Sequence, residues 1–307
     1  MDRPLPAGDR AAAMKAVIDI GSNSILLLIA SRGPDGALAI ARDEATVARL
    51  SQGVAASGRL ATEAVARALE VLRRYRAIAA AEGIESLEAV ATEGLRMAEN
   101  PEDFLEPAAE ILGAPVRMIS GDEEAALSYR SIALEQPADQ PLRVVDIGGA
   151  STELIVGRGL DIEQAVSHRM GSVRMSERFI DGHPPSASAI AAIAAAARDC
   201  LAAQPLAPAP ELVGLAGTVT TIGALAAGLE RYERDRVDGL RLDIDRIRAL
   251  RDELATWSLE RLQAVPLLGK GRADLIVTGA TLLLALLEHC GADTLVIRDR
   301  GLRYALL

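Results

Sequence analysis

Three carboxylates stand where catalysis or metal binding is chemically reasonable: Glu124, Asp146 and Glu153. Asp146 ends an apolar run and opens the turn Ile147-Gly148-Gly149-Ala150-Ser151, and Glu153 begins the next apolar run across that turn. A buried Glu153 would need a cation, a metal or several donors. Two hard oxygen ligands beside a phosphate-binding turn suit Mg²⁺, which takes a few carboxylates, water and phosphate oxygens. The plainer alternative makes Glu153 an exposed residue of an edge strand. Glu124 lies in Ile119-Ser120-Gly121-Asp122-Glu123-Glu124-Ala125, where acidic residues in a first helical turn are common for dipole reasons alone. Lifted into a cleft near phosphate, the same carboxylate could act as a general base, with nearby negative charge raising its pKa.

The Asp146 turn has a double. Asp19-Ile20-Gly21-Ser22-Asn23-Ser24 aligns with it at a constant offset of 127 residues, pairing Gly21 with Gly148, Ser24 with Ser151 and Leu26 with Glu153. Gly/Ser turns between apolar strands can fold a backbone tightly around phosphate, so Ser22, Asn23, Gly148, Gly149 and Ser151 are candidate phosphate contacts. Gly217-Thr218 follows an apolar run and opens a helical pattern, an arrangement that suits an anion or only a turn and cap. Arg96, in Ala91-Thr92-Glu93-Gly94-Leu95-Arg96, could clamp a phosphoryl oxygen or merely pair with Glu93 or Glu99.

Strands alternating with helices must position these groups. Residues 87–91 and 116–119 read as strands, 60–83 and 101–112 as helices, and 121–135 as a further helix. The second half restarts with strands at 142–147 and 152–156, a pairing partner at 161–168, a helix at 186–203, a strand at 212–215 and a helix at 218–229. Residues 294–298 form a last strand, and 301–307 a short helix that packs back on the first half. The pattern is α/β. It divides the chain into a loose tail (1–13), a first domain (14–135, joined by a C-terminal helix at 300–307) and a second domain (136–299). The charged segment 231–251 reads as a solvated face or, alternatively, a basic rim guiding a polyanion.

Half the residues are apolar, with only two Phe, four Tyr and one Trp, so the cores are built from aliphatic side chains and little remains for stacking bases. A net charge of −10 disfavours broad binding to nucleic acid or an anionic membrane. Residues 1–13 lack a signal-peptide core, and the apolar stretch 275–287 falls short of the ~20 residues a spanning helix needs. The expectation is a cytoplasmic protein, free of nucleic acid and membrane, with a homodimer left open. Cys200 and Cys290 read as buried thiols, a disulfide between them being unsupported.

Residues 19–24, 91–96, 119–125, 146–153, Arg169-Met170-Gly171 and 214–218 occur in the order and approximate spacing of the exopolyphosphatase and guanosine pentaphosphate phosphatase family, which the chain resembles from about Met14 to its end. The resemblance implies two ribonuclease-H-like domains of the actin, Hsp70 and sugar-kinase superfold with a cleft between them. It implies Glu124 as catalytic base, Asp146 and Glu153 as magnesium ligands, and Asn23, Arg96 and Gly148-Gly149 as phosphate contacts. Arg272, ahead of Ala273-Asp274-Leu275-Ile276, resembles a further phosphate-binding arginine in a looser motif. Ala150 stands where a third glycine is usual, which matters if that position needs positive φ. The helical region that longer members carry at the C-terminus is missing, so a processive grip on long polyphosphate is less expected.

The implied activity is Mg²⁺-dependent hydrolysis of terminal phosphoanhydrides, with polyphosphate or guanosine pentaphosphate as substrate. One rival is an ATP-dependent kinase or ATPase of the same superfold; residues 25–30 lack the cation such kinases place after the first loop. The other is a non-catalytic alarmone sensor, against which Glu124, Asp146 and Glu153 argue.

Overall fold

The computed structural model describes residues 13–33 and 36–307, so all but the last residue of the expected tail lies outside the described residues. The first sheet holds β1 (Lys15–Ile20), β2 (Ser24–Arg32), β3 (Leu38–Val47), β4 (Ser86–Ala91) and β5 (Val116–Met118), in the order β3-β2-β1-β4-β5. The second holds β6 (Pro141–Ile147), β7 (Thr152–Arg158), β8 (Asp161–His168), β9 (Glu211–Leu215), β10 (Arg241–Asp243) and β11 (Thr294–Ile297). Its order, read β8-β7-β6-β9-β11-β10, repeats the first and adds one antiparallel edge strand. In each half an antiparallel hairpin (β1–β2, β6–β7) is followed by a parallel neighbour (β4, β9). These are two mixed sheets of ribonuclease-H-like topology.

The duplication reaches atomic detail. Asp19 pairs with Leu26 across the first hairpin and Asp146 with Glu153 across the second. Gly21 N donates to Ser24 O and Gly148 N to Ser151 O, both at 3.0 Å. The central strands β1 and β6 carry nearly continuous aliphatic runs because both faces are covered. Leu72, Tyr75 and Phe104 from the helices Thr62–Ala81 and Glu102–Leu112 fill the first core. In the second, the helix Ile276–Cys290 is buried almost all round, which explains its apolarity without a membrane. No helix among the described residues is long and apolar enough to span a bilayer. Both cysteines are free, Cys290 buried and Cys200 partly exposed.

Two features depart from the sequence reading. Strand β3 was not foreseen, because its alternately wet residues resemble a polar loop; it is the edge of the first sheet. The helix Gly121–Ala133, assigned by a division at 135 to the first half, lies by packing on the second sheet. Its Ala125, Tyr129 and Ile132 pack with Leu142, Val144 and Ile155, while Leu127 on its other flank meets Val90 and Leu302. The short helix Leu302–Ala305 returns to the first sheet, where Arg303 and Tyr304 both bond Asp43 of β3.

Ala216, at the start of the helix Ala216–Ala226, has φ of +69°. A left-handed alanine costs about 1–2 kcal/mol, partly offset by the chain entropy a glycine would add. Ala216→Gly is therefore expected to raise stability by about 0.5–1 kcal/mol, read from the midpoint of urea unfolding.

Candidate active site

A cavity of about 680 Å³ opens between the sheets, walled by both hairpin turns, Thr92, Glu124, Gly217, Thr218 and Arg272. The turns are held from behind in parallel ways. Ala48 N and Arg49 N donate to Asn23 O, and Ser51 N to Ser22 O; Ser172 N donates to Gly148 O, and Val173 N and Arg174 N to Gly149 O. With these carbonyls engaged, and Gly21 N and Gly148 N bonded within their own turns, the amides of Ser22, Asn23 and Gly149 are the backbone groups left to meet an anion.

The turns also face each other. A Cβ on Gly149 would sit 3.0 Å from Ser22 Cβ and 3.4 Å from Asn23 N. A side chain at Gly171 would collide with the Gly149 backbone, which accounts for the glycine in Arg169-Met170-Gly171. Close approach, not positive φ, thus explains Gly149. Ala150 lies outside the left-handed region and is buried, its carbonyl accepting from Arg174 Nε at 3.0 Å, so the alanine fits without strain.

Asp19, Glu124 and Asp146 line the cavity, and Glu153, the cross-strand partner of Asp146, is off the wall and only 1% exposed. Asp146 accepts from Ser128 Oγ at 2.8 Å and Glu153 from Ser167 Oγ at 2.7 Å. The edge-strand alternative for Glu153 is excluded by that burial. Asp19 Oδ1 is buried without a partner. Burial, partly opposed by Arg303, and repulsion from Asp146 lift the Asp19 carboxyl to about 7. Burial and Asp146 lift Glu153 to about 8, against its serine bonds and the pull of Arg96. Glu124 is raised well above the carboxylate range by burial and by Glu153, with Arg96 opposing and Asp146 reinforcing.

Buried carboxylates this short of cationic partners fit a hard divalent cation. No cage of three or more Asp, Glu, His or Cys ligands converges among the described residues, so water and phosphate oxygens would have to complete the shell. Mg²⁺ favours that arrangement. Asp146 and Asp19, the two hairpin carboxylates on the cavity wall, would hold the ion, with Glu153 paired across its hairpin from Asp146.

The carboxyls also set a pH dependence. Asp19 rises from 3.8 to about 7 and Glu153 from 4.5 to about 8, so the folded chain keeps protons that the unfolded chain releases across this window. Stability without metal then falls as pH rises from about 4 to 8. Melting temperature measured in chelator should drop by several degrees between about pH 5 and 8; a flat or rising profile would contradict the buried cluster.

Among the other candidates, Ser22, Asn23, Gly148, Gly149, Ser151, Gly217, Thr218 and Arg272 all line the cavity. Arg272 Nη1 donates to Thr221 Oγ1 at 2.8 Å, which holds its guanidinium beside Gly217. Asn23 Oδ1 is buried without a partner. Arg96 is not on the wall: it bonds Glu93 at 2.9 Å and Glu124 at 3.0 Å, and Ile119 O. Within 231–251, Arg234 reaches the cavity, pairing with Asp43 at 3.0 Å and donating to Asp299 O at 2.8 Å, while Arg231 is 85% exposed. Asp19 was missed as a site residue although its register with Asp146 pointed to it. Arg303 carried no signal, because its partner Asp43 is far away in sequence.

The sequence profile of the Ppx/GppA phosphatase family fits residues 28–307. The chain belongs to this family. Ppx/GppA membership makes it an enzyme, a hydrolase of phosphoanhydride bonds. It is 34% identical over 304 residues to exopolyphosphatase 2 of Mycobacterium tuberculosis, covering 94% of this chain and 95% of that protein. A crystallised exopolyphosphatase-like protein superposes with a TM-score of 0.90 at 31% identity, covering 97% of each chain. The PPX-GPPA enzyme of Aquifex aeolicus matches with a TM-score of 0.80 at 31% identity, over 96% of this chain and 98% of that one.

Proposed function

We propose that this Ppx/GppA phosphatase removes terminal orthophosphate from inorganic polyphosphate with the help of Mg²⁺. The observation that carries the reading is Glu124, a carboxylate of raised pKa on the wall of a cavity whose opposite features are two phosphate-fitting turns. The resemblance to exopolyphosphatase 2 supports the choice of substrate.

The terminal phosphoryl group would lodge between the Ser22-Asn23 and Gly148-Gly149 turns, where the amides of Ser22, Asn23 and Gly149 would stabilise its oxygens. Glu124 Oε2 is engaged by Arg96, which leaves Oε1 to accept the proton of the attacking water. As the water oxygen bonds to phosphorus, the bridging P–O bond breaks and the shortened chain leaves with the electron pair. Arg272 and the start of the helix Ala216–Ala226 lie where they can balance charge on the phosphates that remain. A bound magnesium ion would supply charge neutralisation at the phosphate oxygens.

Guanosine pentaphosphate is a second candidate substrate, because the same cavity is also lined by the partly exposed Leu267 and Tyr232. Inorganic polyphosphate makes no use of such a surface, whereas a nucleoside can pack on it. The test is phosphate release with Mg²⁺ from polyphosphates of several lengths and from guanosine pentaphosphate, with ATP as control. Release from polyphosphate is expected. Turnover of ATP alone would overturn the reading in favour of an ATPase.

A further inference from the structure

Glu93 heads the four-residue helix Glu93–Arg96 at the end of β4, where a carboxylate would ordinarily be credited to the helix dipole. Its contacts are more specific. Oε2 accepts from Arg96 Nε at 3.1 Å and Arg96 Nη2 at 2.9 Å, while Oε1 faces Arg174 Nη2 at 3.5 Å and Arg169 Nε at 3.8 Å. The Glu93, Arg96 and Arg174 side chains are each less than a fifth exposed, so their ion pairs are largely shielded from water, whereas Arg169 is 74% exposed and adds little.

Each of the two closer arginines has a second engagement. Arg174 Nε donates to Ala150 O at 3.0 Å, in the second phosphate turn, and Arg96 Nη2 donates to Glu124 Oε2 at 3.0 Å. Arg96 Nη1 is taken by Ile119 O. All three nitrogens of Arg96 are therefore committed to protein acceptors, and the plane of its guanidinium is fixed by the fork it makes on Glu93. A continuous path runs from the Ala150 carbonyl through Arg174, Glu93 and Arg96 to Glu124.

We infer that Glu93 is a positioning residue that acts through Arg96 to fix the carboxylate of Glu124, and through Arg174 ties that carboxylate to the second phosphate turn. This rests on the reading of Glu124 as the base. It gives Arg96 a role in holding the base. A catalytic group displaced by about 1 Å can lose about 100-fold in rate, so a partner that fixes its orientation affects turnover more than binding.

Kinetics with polyphosphate and Mg²⁺ test the inference. Glu93→Gln should lower kcat about 10-fold with KM within about twofold, and Glu93→Asp, which keeps the charge, should retain more activity than Glu93→Gln. In an Arg96→Ala background, Glu93→Gln should change kcat by less than about twofold, because the path is already cut. Unchanged or increased activity in Glu93→Gln, or the same loss in both backgrounds, would overturn it. A crystal structure of Glu93→Ala decides the point without turnover: Arg96 is expected to leave Glu124, and a retained 3.0 Å contact overturns the inference. If the unmodified protein releases no phosphate, the proposed function falls while the crystallographic result still judges Glu93.

Discussion

Replacing Glu124 by Gln is expected to lower kcat for phosphate release by about 10²–10⁴-fold while leaving polyphosphate binding within a few-fold. The glutamine keeps the shape and can still accept from Arg96, so the change isolates the proton-accepting function of the carboxylate. Its burial is compatible with that function: at 8% exposure Glu124 is shielded from bulk water yet still lines the cavity. Removal of a negative charge from beside Asp146 and Glu153 also relieves repulsion, so the variant should melt no lower than the parent in chelator. Steady-state phosphate release and calorimetric titration with polyphosphate measure the two halves of the expectation. Equal turnover in the variant would remove Glu124 from its assigned role.

The second large effect is expected from Asp146→Asn. Activity should fall by more than about 100-fold, because the variant loses the wall carboxylate best placed for a divalent cation. The accompanying stability signature separates metal binding from general damage. Burial raises the pKa of Asp146, and its charge raises those of Asp19 and Glu153, so in chelator the asparagine should melt higher than the parent. Mg²⁺ at about 100 times its Kd would add about 2.7 kcal/mol to the parent and little to the variant. The order of melting temperatures should therefore reverse on adding metal. The same order in both conditions would mean that Asp146 holds no cation.

Local patterns carried most of the fold. The register from Asp19 to Asp146 was legible because each hairpin is fixed by its own few residues, and the observed strand order repeats with it. Strand β3 was not legible: an edge strand wet on alternate residues has no apolar signature, and its Asp43 becomes meaningful only when Arg234, Arg303 and Tyr304 close on it from distant parts of the chain. The turn glycines were legible because close backbone approach restricts residue choice locally, whereas Arg272 was named only through the resemblance to the family. Glu93 was visible only as a possible partner of Arg96, and only the opposed halves reveal Arg174 and Arg169 arriving from the other side. Arg96 had two open readings, a phosphate clamp or a surface partner of Glu93 or Glu99; in the structure it is largely buried and bonds both Glu93 and Glu124.

The abutment of Gly149 on Ser22 has a geometric consequence. Each turn is half of a mould whose other half belongs to the opposite sheet, so the spacing of the two sheets sets the shape of the phosphate-binding surface itself and not only the width of the cavity around it.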